Sequence, residues 1–301
     1  MNLDELACVT VTYFPDLDIL TKQLQLLPRE SCKIVVDNSD DVQVRAKLLD
    51  LCAGVENGHA IFPGKNVGLG DGVNLGVSWV KENLPASVRY VLFLDQDSEP
   101  QPGSVLLLLS EFRRLEADNV PVGSVGPSLR DVHTGLFHGF HQPGRFFWHR
   151  VFPQEDQVEC VSCMNLNGSG TLTTIRIFEE LGGLEGDFFI DHIDTEWAFR
   201  LISRGYGLFG VPRAVFLHRM GENSMRFWCL GWRVWPTRSP LRHYYLFRNA
   251  VGLMKRGYVP FVWKFWGVVK LMLTAFVHGF FDKRRLDQLK YMIRGMIDGM
   301  R

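Results

Sequence analysis

The chain has 301 residues, 46% apolar and 22% charged, a composition that excludes disorder and provides for a sizeable core. Its formal charge of zero hides a polarity: residues 1–225 carry 18 Lys and Arg against 30 Asp and Glu, residues 226–301 carry 15 against 3, and the two parts stand at −12 and +12. A cationic part of this size points to an anionic surface, membrane or nucleic acid, and the acidic Met1-Asn2-Leu3-Asp4-Glu5 start reads against a signal peptide.

Strand-like and helix-like stretches alternate first. Residues 6–13 read as a buried strand and 15–27 as a helix. Residues 32–37 are a second apolar run ending in Asp37-Asn38-Ser39, followed by a helix at 42–52 and a short strand at 59–62. Residues 66–82 open with glycines and continue as a helix, 89–95 read as a strand and 103–117 as a helix. This order implies an α/β fold, a parallel sheet covered by helices with right-handed crossovers. Beyond residue 121, short β-like pieces at 122–127, 136–140, 145–152 and 157–165 are joined by Gly/Pro turns and suggest a mixed sheet edge. Helices return at 174–181 and 194–204, before a strand-like 214–219.

Residues 226–301 differ in kind, rich in Trp, Phe and Arg, with helices at 240–256, 260–281 and 283–300. Residues 261–281 are long enough to span a bilayer. Lys264 and Lys270 interrupt them, and a Lys at mid-span costs about 2.5–3.5 kcal/mol. Lys264, Gly267, Thr274 and His278 share one stripe, broken by Leu271 and with Lys270 adjacent. That favours an amphipathic helix lying in the membrane plane, with Trp263 and Trp266 at the interface. The other reading is that these aromatics cap the first domain as core. Nucleic-acid binding is disfavoured, because the aromatics lie in apolar runs rather than between basic residues.

The six cysteines, Cys8, Cys32, Cys52, Cys160, Cys163 and Cys229, are scattered. Cys160 and Cys163 form a lone Cys-x-x-Cys with no second pair and no His at zinc spacing. Reduced thiols in a cytoplasmic setting fit this pattern.

Val91-Leu92-Phe93-Leu94-Asp95-Gln96-Asp97 is the most informative segment. An apolar strand ends in two carboxylates one residue apart, at the strand end where open α/β sheets bind ligands. Such hard oxygen donors suit Mg²⁺ or Mn²⁺, which could hold a diphosphate. A helix cap and a solvated Asp would use the same residues. Thr10, Val11 and Thr12 end the first strand, where small side chains can lie against a base or ribose. Asp37 could accept from the imide N–H of uracil or thymine, or simply form a turn. Asn66-Val67-Gly68-Leu69-Gly70 leads into a helix whose N–H groups could face phosphate. Asp191-His192-Ile193-Asp194-Thr195-Glu196 crowds a helix start, where one carboxylate could act as general base and another as a cap. His218, after a strand, could complete a metal site, and Arg219, Arg242 and Arg248 could meet pyrophosphate or acidic acceptor groups.

Together, Val-Thr-Tyr, Val-Asp-Asn-Ser, Asn-Val-Gly-Leu-Gly, Leu-Asp-Gln-Asp-Ser, Phe-Ile-Asp-His-Ile-Asp-Thr-Glu-Trp, His218 and His-Tyr-Tyr-Leu-Phe-Arg-Asn resemble bacterial family 2 glycosyltransferases over residues 6–255. The likeness is strongest to their rhamnosyltransferase branch, and within it to the enzymes that build the lipopolysaccharide outer core in pseudomonads. It implies a GT-A fold, a Rossmann-like mixed sheet with helices on both faces, at 1–225, and a basic helical segment that associates with membrane at 226–301. It also implies inverting transfer of L-rhamnose from dTDP-β-L-rhamnose, with a divalent metal, Mg²⁺ or Mn²⁺, held by Asp97 with Asp95 nearby and His218 beside it. By position, Asp37 would read thymine, Thr10 and Val11 would line the nucleotide, and Thr12, Asn66, Gly68, Gly70, Gln96 and Arg248 belong to the nucleotide-sugar site. Asp194 matches the catalytic base. The family more usually has Glu just before that Asp. Ile193 stands there, so the second carboxylate must be Asp191 or Glu196. The implied acceptor is a lipid-linked oligosaccharide or the lipopolysaccharide core, met at the cytoplasmic face of the inner membrane. The rivals are a UDP-sugar donor, an O-antigen or lipid acceptor, and a non-catalytic sugar-binding scaffold.

Overall fold

Apolar runs buried on both faces make the centre of a sheet, and the first strand, LACVTVT, is buried at all of its positions. In the computed structural model, residues 3–144, 147–152, 157–219, 224–228 and 232–301 are described. The first half comprises β1 (Leu6–Thr12), α1 (Leu17–Leu26), β2 (Cys32–Asp37), α2 (Val42–Ala53), β3 (Gly58–Ile61), α3 (Gly68–Asn83), β4 (Tyr90–Asp95), β5 (Glu99–Pro100) and α4 (Ser104–Ala117). Then come β6 (Val122–Asp131), β7 (Phe137–His138), β8 (Phe140–Pro143), β9 (Trp148–Val151), β10 (Val161–Cys163), β11 (Leu172–Thr174), α5 (Ile175–Glu180), α6 (Ile193–Ser203) and β12 (Gly207–His218). A hairpin, β13 (Ser224–Trp228) and β14 (Trp232–Pro236), precedes α7 (Pro240–Met254), α8 (Phe261–Phe281) and α9 (Arg285–Met300). Asp16 and Asp41 start α1 and α2 by accepting backbone N–H groups of the first turn.

The main sheet runs β10-β12-β6-β11-β4-β1-β2-β3, with β5 added to β12 and β7 to β6. The β4-β1-β2-β3 half is parallel, as is β6 with β12. β11 lies antiparallel between β4 and β6. Three residues are too few to show a strand period, and Thr174 also caps α5, so the sequence reading takes this stretch as a helix start. β12 begins seven residues before the expected 214, because Gly207, Gly210 and Pro212 read as turn. A register shift between Val211 and Val215 absorbs the proline within the strand. The expected strand at 145–152 falls partly outside the described residues, and within them the strand is Trp148–Val151. Cys229 also lies outside them, and the other five cysteines are unpaired.

The C-terminal helices share core with the rest: Leu253 and Val259 cluster with Phe188, Ile193 and Phe199. α7 and α9 pack backbone to backbone, and a Cβ on Gly295 would strike the carbonyl of Tyr244. α8 turns its polar stripe inward, with Thr274 and His278 buried against its neighbours. Its outward face is apolar: Phe261, Phe265, Met272, Phe276 and Phe280 are all exposed. Among the described residues it is the one helix long and apolar enough to cross a membrane. The expectation for its tryptophans needs correction. Trp263 packs edge-on against Phe199 and Trp266 tilts onto Phe147, so both face the protein. Gly295→Leu should overpack the α7–α9 contact by about 1–3 kcal/mol. It should lower the melting temperature by several degrees in a calorimetric scan, and an unchanged value would refute this account of the contact.

Candidate active site

The carboxyl ends of β1, β4 and β12 meet at one point. β4 ends in Asp95, and the turn after it is held from beneath by Gln23. This fully buried amide donates to the carbonyls of Asp95 and Ser98, both at 2.7 Å, and accepts from the Thr10 hydroxyl at 2.9 Å. Ser169 accepts from the Asp95 N–H and bonds Ser98 Oγ. β5 then pairs with β12, Glu99 opposite Leu217, which draws the end of β12 alongside the turn. His218 is thereby set between the two carboxylates, with Nε2 3.5 Å from Asp95 Oδ2 and Nδ1 3.4 Å from Asp97 Oδ2. Glu99, 2% exposed, secures the joint through Arg219 at 2.8 Å and through Lys22.

One donor atom from each of Asp95, Asp97 and His218 lies within 4.8 Å of the others. His218 Nδ1 is buried without a hydrogen-bond partner among the described residues. Burial opposes a charged imidazole, but the carboxylates of Asp97 and Asp95 outweigh it and raise His218 to about 10. Two carboxylates, an imidazole and an orphaned ring nitrogen fit a divalent cation of the Mg²⁺–Mn²⁺ type.

Asp194 stands in the first turn of α6. Its carboxylate accepts from the Thr195 N–H at 2.8 Å. Burial first, then the charges of Asp95 and Asp191, raise it to about 6 against the Thr195 hydrogen bond. A Cβ on Gly168 would stand 3.8 Å from Asp194 Cβ, while its neighbour Ser169 holds Asp95. The base candidate therefore lies close to the Asp95–Asp97–His218 cluster, within reach of the charge of Asp95. The loop before α6 is strained: Phe189, Asp191 and His192 have φ of 58°, 65° and 66°. Asn249 of α7 holds it by donating to the carbonyls of Phe188, Ile190 and Asp191 at 2.7, 2.8 and 3.0 Å.

Other expected residues are placed differently. Glu196 is fully buried, bound by Arg200 at 2.7 Å and by the Tyr258 hydroxyl at 2.6 Å, so it ties α6 to the α7–α8 link and is out of reach of a substrate. Both oxygens of Asp191 are occupied, Oδ1 by Arg238 at 2.8 Å and Oδ2 by Arg242 at 3.3 Å. Arg248 donates to the Asp187 carbonyl and to Asn249 Oδ1 rather than to the cluster. Thr10 is buried and acts through Gln23, and Val11 packs under α3 at Gly72. The start of α3 is not open to a phosphate. Asn66 accepts from the Gly68 N–H and the Phe189 carbonyl accepts from the Leu69 N–H. Gly68, at φ +87°, and Gly70 instead admit the backbone of the loop before α6, where a Cβ would meet Phe189 and Glu185. Asp37 is buried, with Oδ1 accepting from Thr12 and Ser39 at 2.8 and 2.7 Å. Gln96 accepts from the Tyr13 N–H at 2.7 Å, and Tyr13 and Phe14 stand exposed beside them. The sequence reading misses Gln23, Gly168, Ser169 and Asn249. Only Asn249 carries a local signal, as the last residue of His-Tyr-Tyr-Leu-Phe-Arg-Asn.

Residues 25–182 match the family model of glycosyl transferase family 2. The chain is 27% identical over 298 residues to the dTDP-rhamnosyl transferase RfbF of Shigella flexneri, across 97% of this chain and 94% of that one. Among the solved structures similar in fold are these two. One is GalNAc-T7 with UDP, GalNAc and Mn²⁺, at a TM-score of 0.61 and 14% identity, covering 98% of this chain and 55% of that one, about half its length. The other is the mannosyltransferase PcManGT of Pyrobaculum calidifontis with GDP-Man and Mn²⁺, at 0.55 and 12%, covering 98% and 87%.

Mn²⁺ titrated into the protein should bind in calorimetry, and Asp97→Ala and His218→Ala should each weaken that binding at least tenfold. Equal affinity in both variants would remove the cluster as a metal site.

Proposed function

The chain belongs to glycosyl transferase family 2, and from that premise we propose that it moves L-rhamnose from dTDP-β-L-rhamnose to an acceptor hydroxyl with inversion. The observation that carries this reading is the closeness of Asp194 to the Asp95–Asp97–His218 cluster: the charge of Asp95 acts on Asp194, and the adjacent residues Gly168 and Ser169 touch one each. The choice of donor is supported by the rhamnosyl relative, which matches nearly the whole chain. Asp37 suits a thymine imide: Thr12 and Ser39 hold Oδ1, and Oδ2 has no partner among the described residues. Tyr13 and Phe14 offer exposed rings to a base at the same edge.

In the reaction, Asp194 takes the proton of the acceptor hydroxyl as that oxygen attacks the anomeric carbon from the face opposite dTDP. The bond to the diphosphate oxygen breaks with its electron pair, and an α-L-rhamnoside results. A divalent cation on Asp97, Asp95 and His218 would neutralise the charge of the departing diphosphate. Asp191, anchored by two arginines, positions the loop and places its charge near the base. The acceptor is a lipid-linked saccharide or lipopolysaccharide core, met at the cytoplasmic face of the inner membrane. The outward phenylalanines of α8 would enter the lipid interface, and Lys283, Arg284, Arg285 and Lys290 would face anionic headgroups.

Donor turnover should require dTDP-rhamnose over UDP-glucose and UDP-GlcNAc and should stop in EDTA. Asp194→Asn should lower kcat about 10²–10⁴-fold with dTDP affinity kept. Asp194 must be ionised to act, so kcat/KM should fall as pH drops below about 6. Activity with UDP-sugars alone, or a flat acid limb, would overturn the reading. Phe265→Ser with Phe276→Ser should lower binding to phosphatidylglycerol vesicles at least tenfold without lowering the melting temperature. Unchanged flotation would place the membrane contact elsewhere.

A further inference from the structure

Several cations beside the base have no part in the chemistry above. Trp263, Trp266 and Lys270 stand at i, i+3 and i+7 on α8 and share one stripe. Trp263 meets the ring of His192 edge-on at 5.5 Å, and Trp266 meets Phe147, at the foot of β9, at 5.4 Å. The stripe therefore runs between the loop that leads into Asp194 and the hairpin that carries Arg150. Lys270 lies within electrostatic reach of Asp191, Asp194, Arg150 and Arg238. Arg150 donates to His141 Nε2 at 3.3 Å, and His141 bridges to Asn165, whose amide reaches Thr195. Neither Lys270 nor Arg150 has an acidic hydrogen-bond or ion-pair partner among the described residues, while Arg238 and Arg242 share the single carboxylate of Asp191.

The surplus of positive charge registers on two half-buried histidines. Burial first, and then the charge of Arg150, holds His141 down to about 4. Burial, with Lys270 and Arg238 adding to it, does the same to His192. The donor diphosphate is assigned to the Asp95–Asp97–His218 cluster, and none of these cations has a contact with that cluster among the described residues. They surround Asp191 and Asp194, where the acceptor hydroxyl must arrive, and Lys270 stands on the helix whose outer face is apolar.

We propose that Lys270, Arg150 and Arg238 form a subsite for a phosphoryl group carried by the acceptor. This rests on the transfer reading, because it takes Asp194 as the place where the acceptor hydroxyl arrives. The phosphoryl group has two sources, a phosphate ester on the acceptor sugar or the diphosphate that joins a sugar to a lipid carrier.

The test uses the full chain saturated with dTDP and Mn²⁺, titrated in calorimetry with glucose, glucose 6-phosphate and farnesyl diphospho-glucose. At least one phosphorylated probe should bind tenfold or more tightly than glucose, and the tighter of the two names the source. Lys270→Ala and Arg150→Ala should each remove most of that preference, with the Kd for dTDP unchanged. Arg150 and Lys270 are both exposed and stand on different elements, so either variant keeps the test valid if the other fails to fold. Equal binding of glucose and both phosphorylated probes, or a preference that survives both substitutions, overturns the subsite. A shifted acid limb in the pH–rate profile with probe affinity intact would also overturn it, by making these cations tuners of Asp194 only. Failure of dTDP itself to bind would instead strike the donor reading, and the probe titrations repeated without nucleotide still decide the subsite.

Discussion

One side-chain amide governs the geometry of the site. Asn249 donates to three carbonyls within four residues of the loop before α6, and three residues of that loop sit at positive φ without being glycine. Each such residue costs on the order of 1–3 kcal/mol. The backbone keeps this shape because the surroundings over-determine it. Asn249 ties its carbonyls, Arg238 and Arg242 grip Asp191, and Phe189 stacks on Tyr245 at 4.7 Å. Gly68 and Gly70 make room on the other side. The reward is the placing of Asp194, which follows the loop in the first turn of a helix, near the charge of Asp95.

Two carboxylates on that helix show how environment separates chemically similar groups. Glu196 is enclosed with Arg200, Arg256 and Tyr258 around it, so its charge is fully compensated and serves packing. Asp194, two residues earlier, has only a backbone N–H and a hydroxyl among the described residues, and its charged influences include two other carboxylates. A carboxylate with little compensation is the better proton acceptor near neutral pH. The same contrast appears between Asp95 and Asp97, left to share one imidazole, and Glu99, clasped by Arg219 and Lys22.

What the sequence made legible follows the range of the interactions. Alternation of apolar runs with helices recovers the β1–β4 half, where each strand is set by its own composition. Asp95, Asp97, Asp194 and His218 stand out because charge at a strand end or helix start is a local anomaly. The glycines at 68 and 70 were legible as points of close approach but not as to what approaches, and the visitor is the protein's own chain rather than a phosphate. Thr10 looked free to meet a nucleotide because its partner, Gln23, is an unremarkable polar residue in a helix. Lys270 was legible only as an interruption of an apolar helix, since its neighbours come from three distant segments. The inward turn of the α8 polar stripe was hidden for the same reason: a stripe shows periodicity, not direction.

The short antiparallel β11 also sets an order of assembly. It sits between β4 and β6, so β6 cannot join the growing sheet until residues 172–174 have arrived. β1 to β4 can pair as soon as residue 95 has left the ribosome. The other wing, with β6, β12 and His218, has to wait for a three-residue wedge some eighty residues later. Long-range closure of this kind is slow and leaves strand edges open in the interval. The candidate metal cluster, with His218 from the late wing and Asp95 and Asp97 from the early one, is thus complete only after that wedge has closed the sheet.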